Sequence, residues 1–253
     1  MNIEAYLRRI NYQGSLNPDA RTLRDLQVAH LLAVPFENLS IHAGQQIVLD
    51  DDSLFDKIVN GRRGGFCYEA NGLFAALLRA LGFDVSMLSA GVANAQGEFG
   101  PDFDHMALMV TLEERWLADV GFGDSFREPL LLDERAAQEQ GKRSYRIVPE
   151  GDYLILMQKD DGGEWEAQYR FTLRAYQYAD YAAMCRYHQT SPESHFTQRR
   201  VCSLATPEGR VTLSDMRLIE TTAGGERRER ALLSQEEYTE MLRERFGIVM
   251  KAR

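Results

Sequence analysis

The chain has 253 residues and a formal net charge of −9 at pH 7, with 44% hydrophobic and 26% charged residues. These proportions are those of an ordinary globular protein. The negative charge excludes the uniformly basic surface with which proteins bind nucleic acid or anionic membranes. No apolar run approaches the roughly 20 residues that span a bilayer. The first residues include an early acid, Glu4, and lack the apolar core of a signal peptide, so we expect a cytoplasmic protein.

The three cysteines are Cys67, Cys185 and Cys202. An odd number of widely spaced cysteines in so large a chain does not predict a disulfide framework. No two cysteines have zinc-site spacing, and the histidines form no HExxH motif. We therefore predict no structural metal.

The first third of the sequence has helical periodicity. A helix over 3–10 is followed by one that we expect to be capped by Asn17 and to end near Val34, because Pro35 disfavours helix in the residue before it. Two more helices are predicted, one capped within 50–52 and one beginning at Cys67.

From about residue 84 the sequence changes to short β-branched and aromatic segments between Gly, Pro and Asp clusters. This pattern predicts antiparallel strands at 85–92, 105–112, 116–120, 144–149, 153–158 and 165–173. A helix over 177–188, strands within 199–222 and a last helix opening at Ser234 complete the prediction. The chain has no internal repeat or low-complexity linker, so we expect one compact body.

Cys67 follows Arg62, Arg63 and two glycines and begins an apolar-periodic helix. The unpaired N–H groups at a helix start favour a thiolate, and the two arginines could add to that field. Such settings lower the pKa of a cysteine from about 8.5 to roughly 3.5–7.5. This makes Cys67 the candidate nucleophile, against the alternative of a buried space-filling residue, which is our interpretation of Cys185 and Cys202.

A nucleophilic cysteine needs a base, and the base an orienting acid. His105 opens a predicted strand and Asp119 lies in the next one, with the parity that puts both on one face. A turn over 113–115 would set Asp119 opposite Met109, about 13 Å along the strand from His105, so contact would require a bulge or bend. The other histidines, at positions 30, 42, 188 and 195, are interpreted as surface or packing residues.

These segments together resemble the arylamine N-acetyltransferase family. Residues 62–67 are similar to its nucleophile signature, 34–39 to a pocket segment, 119–123 to the segment that carries its acid, and 190–209 to the entry into its third domain. The resemblance covers roughly 3–248. It implies an α+β fold with a cysteine-protease-like core: a helical bundle with the nucleophile (1–83), an antiparallel β-barrel-like domain with the histidine and aspartate (84–190), and an α/β lid (191–253).

The resemblance also implies a catalytic triad of Cys67, His105 and Asp119, with a bend that brings them together, and acetyl-CoA as the acyl donor. We assign four residues to donor binding, namely Phe103, Asp104, Gly121 and Gly123. Four aromatic residues are candidates for a flat acceptor pocket, although each could equally be core: Phe36, Phe66, Phe122 and Phe196. Asp102 and Asp104 depart from the small, neutral residues of some members and would place two acids beside a polyanionic donor.

The function expected is ping-pong transfer of an acetyl group through Cys67 to an arylamine, aryl hydrazine or N-hydroxyarylamine, by a monomer or homodimer. Three alternatives stay open at this point. They are an amide synthase or other acyl-thioester transferase on the same scaffold, a cysteine peptidase or transglutaminase-like enzyme with the same residue order, and a non-catalytic binding protein.

Overall fold

Helices fill the first third of the chain in the computed structural model, which describes residues 1–250. They are α1 (Ile3–Arg9), α2 (Ala20–Ala33), α3 (Leu39–His42), α4 (Asp51–Phe55), which continues as a π-helical turn (Asp56–Asn60), and α5 (Cys67–Ala80). The predicted helix start at Cys67 and the stop before Pro35 are confirmed. The predicted cap of α2 is wrong. Asp19, not Asn17, caps that helix, because its carboxylate accepts a hydrogen bond of 2.8 Å from Thr22 N–H.

An antiparallel eight-stranded sheet follows, in the order β5-β4-β3-β2-β9-β8-β7-β6. Its strands are β2 (Asp84–Val92), β3 (His105–Thr111), β4 (Arg115–Ala118), β5 (Leu130–Leu131), β6 (Gln138–Gln140), β7 (Arg143–Glu150), β8 (Tyr153–Asp160) and β9 (Glu166–Tyr176). The edge strands β5 and β6 are joined through a side chain. The amide of Gln138 exchanges hydrogen bonds of 2.8 and 2.9 Å with the backbone of Leu131. The sheet is therefore a nearly closed, barrel-like structure, as predicted.

In the β3–β4 hairpin, each residue of β3 pairs with a residue of β4 two positions away from the predicted partner, which moves the turn by one residue. Thr111 pairs with Arg115 and Leu108 with Ala118, so the turn is 112–114 rather than 113–115. Asp119 comes directly after β4. In this register it is displaced from His105 by only two residues along the strand direction. This register removes about 7 Å of the predicted separation, and the end of the strand at Ala118 frees Asp119 to turn toward the histidine.

A five-stranded sheet in the order β1-β10-β11-β12-β13 lies in the last part of the chain. Its strands are β1 (Phe36–Glu37), β10 (Val201–Thr206), β11 (Gly209–Ser214), β12 (Arg217–Thr222) and β13 (Arg227–Ala231), and the helices α6 (Tyr178–Thr190), α7 (His195–Gln198) and α8 (Gln235–Phe246) accompany it. Because β1 comes from the helical segment and pairs with β10, this sheet joins the first and last parts of the chain. The predicted α+β class is confirmed.

The apolar core has three parts. One lies between the helices and the face of the large sheet that packs on α5, a second lies inside the barrel, and a third lies between the five-stranded sheet and α8. Helix α5 belongs to the first and is buried almost all round. In residues 1–250, no helix has both the length and the hydropathy needed to cross a bilayer.

His30 is a fully buried member of the helical core. Its Nδ1 lies 2.8 Å from the Tyr6 hydroxyl, and its ring meets Phe74 edge-on at 5.4 Å. Burial, assisted by the positive charge of Arg9, lowers the pKa of His30 to about 3. The folded protein therefore holds this imidazole neutral, while the unfolded chain protonates it near pH 6.5.

His30→Gln should make stability less sensitive to acid. Below pH 6.5 the unfolded chain binds one more proton than the folded chain, so this histidine lowers the unfolding free energy by about 2 kcal/mol between pH 6.5 and 4.5. Urea unfolding at both pH values should show that loss in the native protein and in the matched exposed variant His42→Gln, but not in H30Q. Equal pH dependence in all three proteins would contradict the assignment.

Candidate active site

Cys67 is the first residue of α5, and its N–H therefore has no partner within the helix. The side chain is almost fully buried. Gly121 packs against it so closely that a Cβ at position 121 would lie 2.7 Å from Cys67 Cα and 2.8 Å from Asn71 Nδ2. Only glycine fits there, so the close backbone approach expected of this glycine-rich segment is made to the cysteine itself.

The cysteine is held beside the start of β3. Asn71, one turn after Cys67 on the same face of α5, donates a hydrogen bond of 2.6 Å to Met106 O. The Cys67 thiol in turn lies within hydrogen-bonding reach of the Met106 backbone. Because Met106 directly follows His105, these contacts bring the cysteine to the start of β3, the part of the strand that carries the histidine.

The Asp119 carboxylate is buried and accepts four hydrogen bonds. Oδ1 accepts from Asn71 Nδ2 and from Gly121 N–H, each at 2.8 Å. Oδ2 lies 2.7 Å from His105 Nε2 and 3.2 Å from the Tyr169 hydroxyl. Four donors hold the carboxylate in one orientation. They also replace the hydrogen bonds to water that the carboxylate loses when it is buried.

The contact with Asp119 defines the protonation of His105. An ionised carboxylate can only accept, so His105 Nε2 carries the hydrogen and Nδ1 has the lone pair in the neutral ring. The ring is fixed by edge-on contacts with Phe122 at 5.0 Å and a tilted contact with Tyr169 at 5.2 Å. His105 is therefore oriented as a proton acceptor at Nδ1.

The low thiol pKa expected from the helix start is not found. Burial raises the pKa of the Cys67 thiol well above its usual value, and the charges of Asp119 and Asp104 raise it further, while the Met106 backbone opposes them. Desolvation is the largest of these effects on the thiol pKa. A thiolate in this position needs a compensating positive charge nearby.

Arg63 of the motif has a carboxylate partner of its own. Arg63 pairs with the fully buried carboxylate of Glu37 at 2.7 Å, and Lys57 pairs with the buried Glu69 at 2.6 Å. Glu69 also accepts a hydrogen bond of 3.2 Å from Phe66 N–H, the residue before the cysteine. This ion-pair network fixes the loop that leads into α5, which is a structural role rather than the electrostatic one expected.

Three of the four predicted pocket residues lie together. Phe196 meets Phe66 edge-on at 5.5 Å and lies 6.1 Å from Phe36, measured between ring centroids. Phe66 is fully buried, whereas the other two are partly exposed. Phe122 lies apart from them, in ring contact with His105. A partly exposed aromatic surface thus exists beside the cysteine, with Phe66 behind it.

The four residues assigned to the donor occupy different settings. Phe103 has a positive φ of 66° and packs its ring against two tyrosines, and Asp104 faces His188. The N–H of Gly121 is already bonded to Asp119, and Gly123 turns the chain with a φ of 91°. Their contact with a donor stays a prediction.

Four residues of this region were missed by the sequence analysis. Asn71 and Gln27 are polar residues inside apolar helical patterns, and this mismatch could have identified them from the sequence. Gln27 Oε1 accepts a hydrogen bond of 3.2 Å from Asp119 N–H. Tyr169 gave no signal, because tyrosine is common in strands. His188 was expected to be a surface or packing residue, but it is buried and faces a carboxylate. Within residues 1–250, no three or more His, Cys, Asp or Glu side chains converge as metal ligands would.

Comparison with known proteins agrees with this architecture. A family model described as N-acetyltransferase matches residues 19–253. Arylamine N-acetyltransferase of Escherichia coli is 34% identical over 96% of this chain and 87% of its own. Arylamine N-acetyltransferase / N-hydroxyarylamine O-acetyltransferase of Salmonella typhimurium is 35% identical over 84% of this chain and 76% of its own length. The structure of Mycobacterium marinum arylamine N-acetyltransferase in complex with CoA superposes with a TM-score of 0.90 at 33% identity, over 98% of this chain and 93% of that one.

The fold is that of an N-acetyltransferase. The chain belongs to the arylamine N-acetyltransferase family.

Asn71→Asp should destabilise the protein strongly. The substitution keeps the size of the side chain but replaces the donor 2.8 Å from Asp119 with a second buried carboxylate. We expect the unfolding free energy at pH 7 to fall by about 3–5 kcal/mol. Part of the lost unfolding free energy should return at pH 5, because two buried carboxylates can share a proton. Urea unfolding at both pH values measures this.

The matched control is Asn60→Asp, which also sets a carboxylate next to an aspartate, Asp56, but in an exposed position with a contact of 3.1 Å. Its cost should stay below about 1 kcal/mol. An equal cost for N60D and N71D would show that the position of Asn71 has no special importance.

Proposed function

We propose that this protein transfers an acetyl group from acetyl-CoA to an arylamine, aryl hydrazine or N-hydroxyarylamine, through an acetyl-Cys67 intermediate. The single observation that supports it best is the connected unit around Asn71. It joins the cysteine helix, the backbone after His105 and the carboxylate of Asp119 by hydrogen bonds of 2.6–2.8 Å. Acetyl-CoA and arylamines are proposed from the family and from the CoA complex of the M. marinum relative.

In the first half-reaction, His105 Nδ1 takes the thiol proton of Cys67. Asp119 stabilises the resulting imidazolium through Nε2. The sulfur attacks the carbonyl carbon of the thioester, the bond from that carbon to the CoA sulfur breaks, and the departing CoA takes the proton from His105. The unpaired N–H of Cys67 is a suitable donor to the oxyanion that forms during the attack.

In the second half-reaction, the acceptor nitrogen attacks the acetyl carbon and the bond to the Cys67 sulfur breaks. His105 removes a proton from the nitrogen and returns one to the sulfur, so that the enzyme is restored. The raised pKa of the buried thiol supports this order of events. Charge is created on sulfur only together with the imidazolium beside it, which avoids an isolated buried anion.

Phe36 and Phe196 are the proposed walls of the acceptor site, with Phe122 on the histidine side. Their partly exposed rings offer a flat apolar surface to an aromatic amine. The same surface gives no hydrogen-bonding selectivity among aromatic acceptors. We therefore expect the site to discriminate among acceptors mainly by shape.

Incubation with acetyl-CoA alone should add one acetyl group to the protein, and peptide mapping should place it on Cys67. Cys67→Ser should abolish the mass gain. Cys202→Ser is the matched control that should retain it, because this thiol lies in another part of the core, beside the five-stranded sheet. No mass gain in the native protein, or a gain on another residue, would overturn the proposal.

Adding an arylamine should discharge the acetylated protein and release the acetamide. A parallel series with longer acyl-CoA thioesters separates acetyl transfer from the amide-synthase alternative. Faster acylation of Cys67 by long thioesters, without turnover by acetyl-CoA, would favour the latter.

A further inference from the structure

The loop that follows Asp119 is not held by backbone pairing. Residues 122–126 make no backbone–backbone hydrogen bond within the described part of the chain, 1–250. The two ends of the loop are fixed, because Gly121 packs closely against the cysteine and the ring of Phe126 is buried in the barrel core. The position of the residues between these ends therefore depends on contacts with side chains.

Arg210, on strand β11 of the five-stranded sheet, makes such contacts. Its Nη2 donates a hydrogen bond of 2.6 Å to Gly123 O, and its Nε lies 3.3 Å from Oδ1 of Asp124. Its Nη1 donates at 3.0 Å to Ser203 Oγ on the neighbouring strand β10, which fixes the guanidinium on its own sheet. The side chain of Arg210 is 12% exposed, so little water competes for these contacts.

The carboxylate of Asp124 is held from the barrel side as well. Arg143, on strand β7, donates to both of its oxygens, at 2.9 and 3.0 Å. Burial raises the pKa of Asp124, but the hydrogen bonds of Arg143 and the charge of Arg210 outweigh it and bring the pKa below its usual value. The carboxylate is therefore ionised at neutral pH, and the loop is clamped between the barrel and the five-stranded sheet.

Phe122 directly precedes the clamped residues. Its ring meets the rings of His105 and Tyr169 edge-on, each with centroids 5.0 Å apart, and it is partly exposed. Displacement of the loop at the next residue would therefore move a ring that touches the histidine.

We propose that Arg210 is a positioning residue that holds Phe122 against His105 by clamping the two residues after Phe122 to the five-stranded sheet. The inference rests on the proposed function, in which Phe122 is the wall of the acceptor site on the histidine side. It adds that this wall is set by a guanidinium from a different sheet. Arg210 acts through the loop, so its effect falls on the acceptor more than on the sulfur.

The test observes the ring of His105 directly, in carbon–proton NMR spectra of protein that contains ¹³C-labelled histidine. His105→Gln identifies the signal by its disappearance, and Phe122→Leu shows where the signal lies without the neighbouring ring. Arg210→Met should move the signal toward its position in F122L. The double variant R210M/F122L should show no movement beyond that of F122L, because Arg210 then has no ring to place. An unmoved signal in folded R210M, or additive movement in the double variant, would overturn the proposal.

Arg127→Met is the matched control. Arg127 belongs to the same junction and donates to two backbone carbonyls at the β10–β11 turn, at 2.8 and 2.5 Å, but the anchored Phe126 separates it from Phe122. R127M should lower the unfolding free energy to an extent similar to R210M and leave the His105 signal in place. Movement as large as in R210M would show that docking of the sheet in general places the ring, which contradicts a specific role of Arg210.

Acetyl transfer gives a second readout. R210M should raise the KM for an arylamine about five-fold and change kcat less, because binding of the acceptor must then order the loop that Arg210 no longer holds. An unchanged KM would contradict the effect on the acceptor. The NMR measurement needs neither donor nor acceptor. Absence of acetyl transfer in the native protein, together with the expected signal shifts, would therefore count against the proposed function and not against positioning by Arg210.

If R210M does not fold, Arg210→Lys takes its place. Lysine keeps the positive charge near Asp124, but its single ammonium group cannot reach Gly123 O, Asp124 and Ser203 together as the planar guanidinium does. The His105 signal should move in the same direction as in F122L, and a signal at the native position in R210K would overturn the proposal.

Discussion

The side chain of Asn71 is the interaction on which the rest of the site depends. Its amide donates to Met106 O and to Asp119 and accepts from Val120 N–H at 2.8 Å. Three segments that are distant in sequence meet at this one amide. An uncharged group with donors and an acceptor in a fixed arrangement can do this inside an apolar core without adding a charge of its own. The spacing of four residues from Cys67 places the thiol on the same face.

Burial of the site determines how its chemistry can proceed. The thiol, the imidazole and the carboxylate are each almost removed from water, so a lone thiolate is unfavourable. In the proposed mechanism, proton transfer from Cys67 to His105 costs far less than release of the proton to solvent, because the two opposite charges attract each other in a medium with little water. The low thiol pKa expected from a helix terminus and two arginines is not found, because Arg63 compensates Glu37 and burial has the largest effect on the pKa of Cys67.

The sequence predicted most strands and helices because their periodicity is local. It singled out Cys67, His105 and Asp119, whose catalytic roles stay a prediction, because glycines, a strand start and a lone acid mark them. It placed the β3–β4 turn one residue too late, since the segment 112–115 contains no glycine or proline to fix the turn. The short strand β1 was not found, because its partner lies more than 160 residues away and only tertiary pairing makes it a strand. The contact between His188 and Asp104 is equally non-local.

The acids near the site are compensated in two different ways, and the difference has a chemical consequence. Glu37 and Glu69 each pair with a cationic side chain, so their fields on the surroundings are reduced. Asp119 receives two neutral donors on Oδ1 and a tyrosine hydroxyl beside the histidine on Oδ2. Neutral dipoles stabilise a carboxylate without cancelling its charge. Asp119 therefore faces His105 without a cationic partner on its other oxygen, which is the arrangement that the proposed mechanism requires of a carboxylate that stabilises an imidazolium.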